Sequence, residues 1–240
     1  MDDSDRQDLH EGMRIVGAAL SGAGIPFALA GGFAAWVHGA PQSEHDADFV
    51  IREQDRSSAW EALSETELRV VDPVENWLFK AYKGEALVDI IFRLDGEPVP
   101  DAIFERADSF DVFGVPMPVM QATDILSEKM RVLTEQRCNF SDLLPVARAL
   151  REQVDWAEVA TRIEGNPYAE AFLFLLDQLE VVEHPARTGV LGRGRADGGR
   201  RTREDDGGPG LARRGDDVGQ LRPHGAGAGS GEETAESRIA

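Results

Sequence analysis

A single cysteine, Cys138, stands among 240 residues, which excludes an internal disulfide and any cysteine-based zinc site and fits a reducing compartment. No apolar run reaches the roughly 18 residues needed to cross a bilayer as a helix. The opening Met1-Asp2-Asp3-Ser4-Asp5 shows no charged-then-apolar leader, so the expectation is a soluble cytoplasmic protein without a membrane partner. Walker loops, HExxH and Gly-x-Ser-x-Gly are missing, as is any internal repeat. Aromatic residues stop at Phe174.

The last of these absences marks a boundary. Residues 183–240 hold 14 glycines, 10 Arg, no Lys and 10 Asp or Glu, so this stretch is neutral and too poor in apolar groups to offset the entropy of ordering. It is expected to be disordered, and its arginine clusters (Arg200, Arg201, Arg203; Arg213, Arg214) could touch RNA or a partner. The net charge of −19 therefore sits entirely on residues 1–182. A body this acidic lacks the long-range attraction that draws basic proteins onto nucleic acid, and it suits small-molecule substrates or a basic partner.

Periodicity divides that body in two. Leu9, Met13, Val16 and Leu20 form the stripe of an amphipathic helix over residues 4–20. Residues 25–30 read as a buried strand broken by Gly31-Gly32, and Phe33 to His38 as a short helix ended by Gly39-Ala40-Pro41. Asp46 to Ile51 alternates acids with Ala47, Phe49 and Ile51, as a strand does, and residues 56–64 read as a helix with Trp60 and Leu63 inward. Residues 78–82 and 86–92 suggest a hairpin around Lys83-Gly84-Glu85. Residues 110–113 and 115–119 suggest an edge-type pair, because Pro116 and Pro118 lack ladder donors. Helical patterns follow at 123–137, 142–152, 156–164 and 168–180, with Asp155 to Glu158 as a capping box. The expected fold is α/β (α+β), a small mixed sheet flanked by helices over residues 1–120. A helical unit spans 121–182 and the tail 183–240.

The chemistry-bearing stretch is Ala30-Gly31-Gly32, thirteen intervening residues that begin with Phe33, then Asp46-Ala47-Asp48-Phe49. On a strand Asp46 and Asp48 share a face, and two adjacent carboxylates repel unless a cation sits between them. Oxygen ligands suit Mg²⁺ or Mn²⁺, which also bring phosphate oxygens. A strand that ends in two glycines and turns into a helix leaves backbone amides facing a phosphate. Asp89 lies inside the apolar run Ala86 to Phe92, where a lone charge is expensive unless compensated. A metal shared with Asp46 and Asp48 would compensate it.

At these residues the chain resembles the polymerase-β-like nucleotidyltransferase superfamily, with its Gly-Gly or Gly-Ser turn, Asp-x-Asp pair and later third acid. By element order the likeness covers residues 10–120. The helical extension is similar to that of bacterial AbiEii- and MenT-type enzymes. The resemblance implies a nucleotidyltransferase of the EC 2.7.7 type that binds ATP or another nucleoside triphosphate and moves a nucleoside monophosphate to an acceptor hydroxyl. It further implies catalytic Asp46, Asp48, Asp89 and Lys129, metal at the three aspartates, and nucleotide at Gly31, Gly32, Gln42 and Lys129. The acceptor could be tRNA, a protein or a cationic antibiotic, and a toxin role would bring a cognate antitoxin. Where many relatives carry Ser and a cation, this chain has Gly32, Gln42 and Glu44. A non-catalytic binding or antitoxin-partner module that kept the fold is the alternative.

Around residues 123–137, Ile125, Leu126, Met130, Val132 and Leu133 form an apolar arc with Lys129 at its centre, whereas Asp124, Ser127, Glu128, Arg131, Thr134 and Glu135 lie opposite. An inward lysine needs an anion, and toxin-type relatives use a lysine in a comparable helix; Asp142 resembles a further acid of that group. Plainer roles exist for each residue. Asp46 and Asp48 could be solvated edge-strand acids, Asp89 could pair with Lys80 or Arg93, and Lys129 could snorkel. Asp142 could serve the helix start, and His38 and His45 surface or packing.

Overall fold

The computed structural model describes residues 3–43 and 46–182. Glu44, His45 and the 183–240 tail, with its expected disorder, lie outside the described residues. The order is α1 (Asp3–Gly22), β1 (Phe27–Ala30), α2 (Gly31–Val37), β2 (Asp46–Ile51), α3 (Arg56–Ser64), β3 (Arg69–Val71), β4 (Leu78–Lys83) and β5 (Ala86–Ile91). There follow β6 (Arg93–Leu94), β7 (Glu97–Pro98), α4 (Asp101–Arg106), β8 (Asp108–Val112), β9 (Val115–Val119), α5 (Ala122–Arg131), α6 (Phe140–Leu150), α7 (Trp156–Arg162) and α8 (Pro167–Gln178). A mixed α/β architecture results, with seven strands in one sheet ordered β3-β4-β5-β2-β1-β9-β8. β2 runs parallel to β5 and antiparallel to β1.

The apolar stripe of α1 is fully buried at Leu9, Met13, Val16 and Leu20. Such side chains contribute roughly 1.5–3 kcal/mol each when taken from water. They cover the sheet face that carries Ala47, Phe49, Val88 and Ile90, where a Cβ on Gly12 of α1 would lie 3.3 Å from Val88. Trp60 of α3 packs edge-on to Phe79 on that face, ring centres 5.4 Å apart. Helices thus occupy this side of the sheet, and the polar residues of β2 and β5 fall on the other.

Three expectations need correction. β8 is the sheet edge but β9 lies inside it, joined to β1 by the single register pair Leu29 and Val119. Met120 N–H donates to Leu29 O at 2.9 Å. Pro116 and Pro118 share the parity of Met120, so their missing donors face β1, and the prolines shorten that pairing rather than mark an edge. The helix expected at 123–137 stops at Arg131. Asp124 and Ser127, placed by periodicity on the outer side, are buried because α6, α7 and α8 pack around α5. Asp124 bonds Arg106 Nη2 at 2.5 Å and Arg162 Nη1 at 2.7 Å, an ion cluster joining α4, α5 and α7.

The capping box is half realised. Asp155 Oδ1 accepts from Ala157 N and Glu158 N, both at 3.0 Å. Glu158 instead pairs with Arg162, and the Asp155 N–H donates to Thr123 Oγ1 at 2.9 Å. His38 has the packing role allowed for it: its ring nitrogens bond Met120 O at 2.8 Å and Gln153 Oε1 at 3.0 Å.

Candidate active site

Register alone brings the acids together. In the parallel β2–β5 ladder Asp48 stands opposite Asp89, and Asp46 lies two residues along β2 on the same face. Asp46, Asp48 and Asp89 are 7%, 2% and 1% exposed, which rules out solvated edge-strand acids. Adjacent strands are about 4.8 Å apart. Two unit charges at that spacing repel by roughly 3 kcal/mol at an effective dielectric of about 20. Burial, then Asp46, then Asp89 push the Asp48 carboxyl well above the usual carboxylate range, and Lys129 only partly opposes them. Asp48 Oδ1 is buried without a hydrogen-bond partner among the described residues.

Lys129 comes from α5, and at 7% exposure it is directed inward rather than snorkelling. Burial lowers its pKa while Asp48 and then Asp46 raise it, so the ammonium lies within their field. Lys80 of β4 stands opposite Asp89, which keeps that pairing in register, whereas Arg93 bonds Glu53 at 2.6 Å. Two lysines cannot balance three ionised acids, so full ionisation of the group calls for a further cation.

The glycine turn serves this site sterically. Gly31 has φ +59°, in the left-handed region, and a Cβ there would fall 1.8 Å from Asp48 Oδ2. Only a residue without a side chain lets the turn press against the carboxylate. Gly32 is similarly confined, since its Cβ would meet Ser43 Cβ at 2.7 Å. The donor set, the orphaned Asp48 oxygen and the bare turn beside it fit an oxygen-loving divalent cation. As placed, no three His, Cys, Asp or Glu side chains among the described residues are gathered closely enough to hold a metal ion. Asp46 is about 7 Å down the strand from Asp48, so a shared ion requires side-chain rotation.

A cleft of about 620 Å³ opens from Gly32 and Lys129 towards the α5–α6 connection. Leu133, Leu143, Pro145 and Val146 give it an apolar wall. Gln42 lines it too, but its amide nitrogen bonds His10 Nε2 at 3.0 Å. Asp142 is at the exposed rim, in the first turn of α6, where it accepts from Asn139 Nδ2 at 2.6 Å. A carboxylate in the first turn favours the helix start. Sequence periodicity missed Glu128 and Arg137: Glu128 lies beside Asp48 and Lys129 around a cavity of about 20 Å³, and Arg137 lines the cleft. Glu128 sits on the outer side of the α5 wheel and Arg137 beyond the helix, so neither carries a periodic signal.

No helix among the described residues is long and apolar enough to cross a membrane. No protein-family model and no curated protein matches the sequence. Among solved structures the chain is similar to the antibiotic-resistance factor ANT(2'')-Ia, at 16% identity over 71% of this chain and 92% of that one, TM-score 0.40. It is also similar to an antigenic nucleotidyltransferase-like protein from Paracoccidioides brasiliensis, at 15% identity over 70% and 93%, TM-score 0.43. A third is a tRNA nucleotidyltransferase solved with a primer tRNA and an ATP analog, at 14% identity over 69% and 60%, TM-score 0.30.

Proposed function

We propose that this chain is a metal-dependent nucleotidyltransferase that moves a nucleoside monophosphate from a nucleoside triphosphate to an acceptor hydroxyl. The observation that carries the reading is the in-register pair Asp48 and Asp89, with Asp46 on the same buried face, at the mouth of the Gly31 turn. Asp46, Asp48 and Asp89 would hold Mg²⁺ or Mn²⁺, which supplies neutralisation of phosphate charge and a lowered pKa for the acceptor hydroxyl. The acceptor oxygen forms a bond to the α-phosphorus, the bond from that phosphorus to the bridging oxygen breaks, and pyrophosphate leaves with the electron pair. Asp89 takes the hydroxyl proton. Backbone amides of Gly31 and Gly32 orient the phosphates, and the Lys129 ammonium offsets their growing charge. The apolar cleft wall takes the base. Positioning and fixed charge do most of what the protein contributes in such a reaction.

Calorimetry tests this directly. Wild type should bind a nucleoside triphosphate only with Mg²⁺, and Asp46→Ala/Asp48→Ala should abolish that dependence while remaining folded. Absence of Mg²⁺-dependent binding in wild type would favour the non-catalytic module, in line with Gln42 being held by His10 rather than replaced by a cation. If binding occurs, labelled triphosphate incubated with total RNA, cell protein and an antibiotic panel identifies the acceptor by the fraction that becomes labelled. Labelled tRNA is the outcome that fits a toxin with a cognate antitoxin.

A further inference from the structure

The body of this protein has far more carboxylates than cations, and its arginines usually find one. Arg56, Arg93, Arg106, Arg131 and Arg162 each bond an Asp or Glu. Arg137 does not follow them. Its Nη2 is buried without a hydrogen-bond partner among the described residues, although the residue lines the cleft with Gly32, Gln42 and Lys129. A guanidinium N–H withdrawn from water and left unbonded is costly, more so than a neutral donor. Its backbone is also fixed: Thr134 N–H donates to Arg137 O at 3.2 Å and Arg137 N–H to Thr134 O at 3.1 Å, closing a tight turn directly after the helix that carries Lys129.

A guanidinium with one buried, unpartnered nitrogen, on a residue that lines a cleft, suits an anion with several oxygens, and phosphate matches it in charge and geometry. We infer that Arg137 is a phosphate-binding residue of this cleft and takes the terminal phosphate of the bound triphosphate. This rests on the nucleotidyltransferase reading for the identity of the ligand, and only on the cleft for its charge. It also provides, from the α5–α6 side, the cation that is absent at Gln42.

The test compares wild type, Arg137→Gln and Arg137→Lys by calorimetry with ATP, ADP and AMP in Mg²⁺, and with inorganic tripolyphosphate. Arg137→Gln is expected to weaken ATP about 10- to 100-fold, the loss of one or two charge-assisted hydrogen bonds. AMP should bind as in wild type, Arg137→Lys should recover part of the loss, and the melting temperature should hold. Equal weakening of AMP and ATP, or no weakening of ATP, overturns the inference. Weakening confined to a 5′-phosphorylated RNA oligomer also overturns it, by giving the phosphate to the acceptor. If wild type ignores nucleotides yet binds tripolyphosphate through Arg137, the anion site stands and nucleotidyl transfer falls. If neither binds, both fall.

Discussion

Gly31→Ala tests whether the turn and the acid are one device. The methyl group would sit 1.8 Å from Asp48 Oδ2 and 2.7 Å from its Cγ, on a backbone at φ +59°. The left-handed conformation costs an L-residue roughly 1–2 kcal/mol, and overpacking against a buried side chain adds typically 1–3 kcal/mol. The sum of roughly 2–5 kcal/mol corresponds to a fall in Tm of about 4–20 °C for a folded body of this size. A double-mutant cycle with Asp48→Ala separates the two parts. Shortening residue 48 removes its carboxylate and leaves only its Cβ, at 3.1 Å, with φ unchanged, so Gly31→Ala should cost about 1–3 kcal/mol less in the Asp48→Ala background. The assay is thermal or urea unfolding of the four proteins in chelator, read by circular dichroism. An equal cost in both backgrounds would refute the argument that glycine is required there by the carboxylate.

Three further outcomes are expected. Asp48→Asn should stabilise the metal-free protein near neutral pH while losing Mg²⁺-dependent stabilisation, because desolvation and the two neighbouring acids outweigh Lys129. An acid whose folded pKa is raised stabilises the fold in its protonated form. That contribution is complete below the ordinary value of 3.8 and is lost as pH rises through the raised folded pKa, so in chelator wild type should lose stability relative to Asp48→Asn over that rise. A pH-independent difference in unfolding free energy between the two contradicts it. Arg162→Ala should cost roughly 1–3 kcal/mol in urea unfolding, since among the described residues buried Asp124 then keeps the ion pair with Arg106 alone, and the partial exposure of both arginines lets water screen the loss. Asp155→Ala should lower stability by about 1 kcal/mol through loss of the two amides capped at α7, and an unchanged urea midpoint would show the cap to be idle.

Much of the fold was legible locally. The α1 stripe, the bounds of β2 and α3, the β4–β5 hairpin and the inward lysine follow from side-chain period, which the backbone imposes wherever one face is buried. What failed was the reading of α5, because a helical wheel assumes one wet side, and α6, α7 and α8 leave α5 almost none. Short elements such as β3, β6, β7 and α4 span too few residues to show a period at all.

The candidate site divides in the same way. By itself the sequence determined that Asp46 and Asp48 share a face, that Asp89 is a charge in an apolar strand, and that two glycines break the strand before them. These are statements about neighbours in the chain, and strand geometry is enough to make them. Only the tertiary structure decided that β5 lies beside β2 in the register that sets Asp89 against Asp48, that Gly31 presses on that carboxylate, and that Arg137 faces the same cleft as Lys129. Each joins residues far apart in sequence, and their meeting depends on strand order and helix packing, which the folding of the whole core selects and no local pattern encodes.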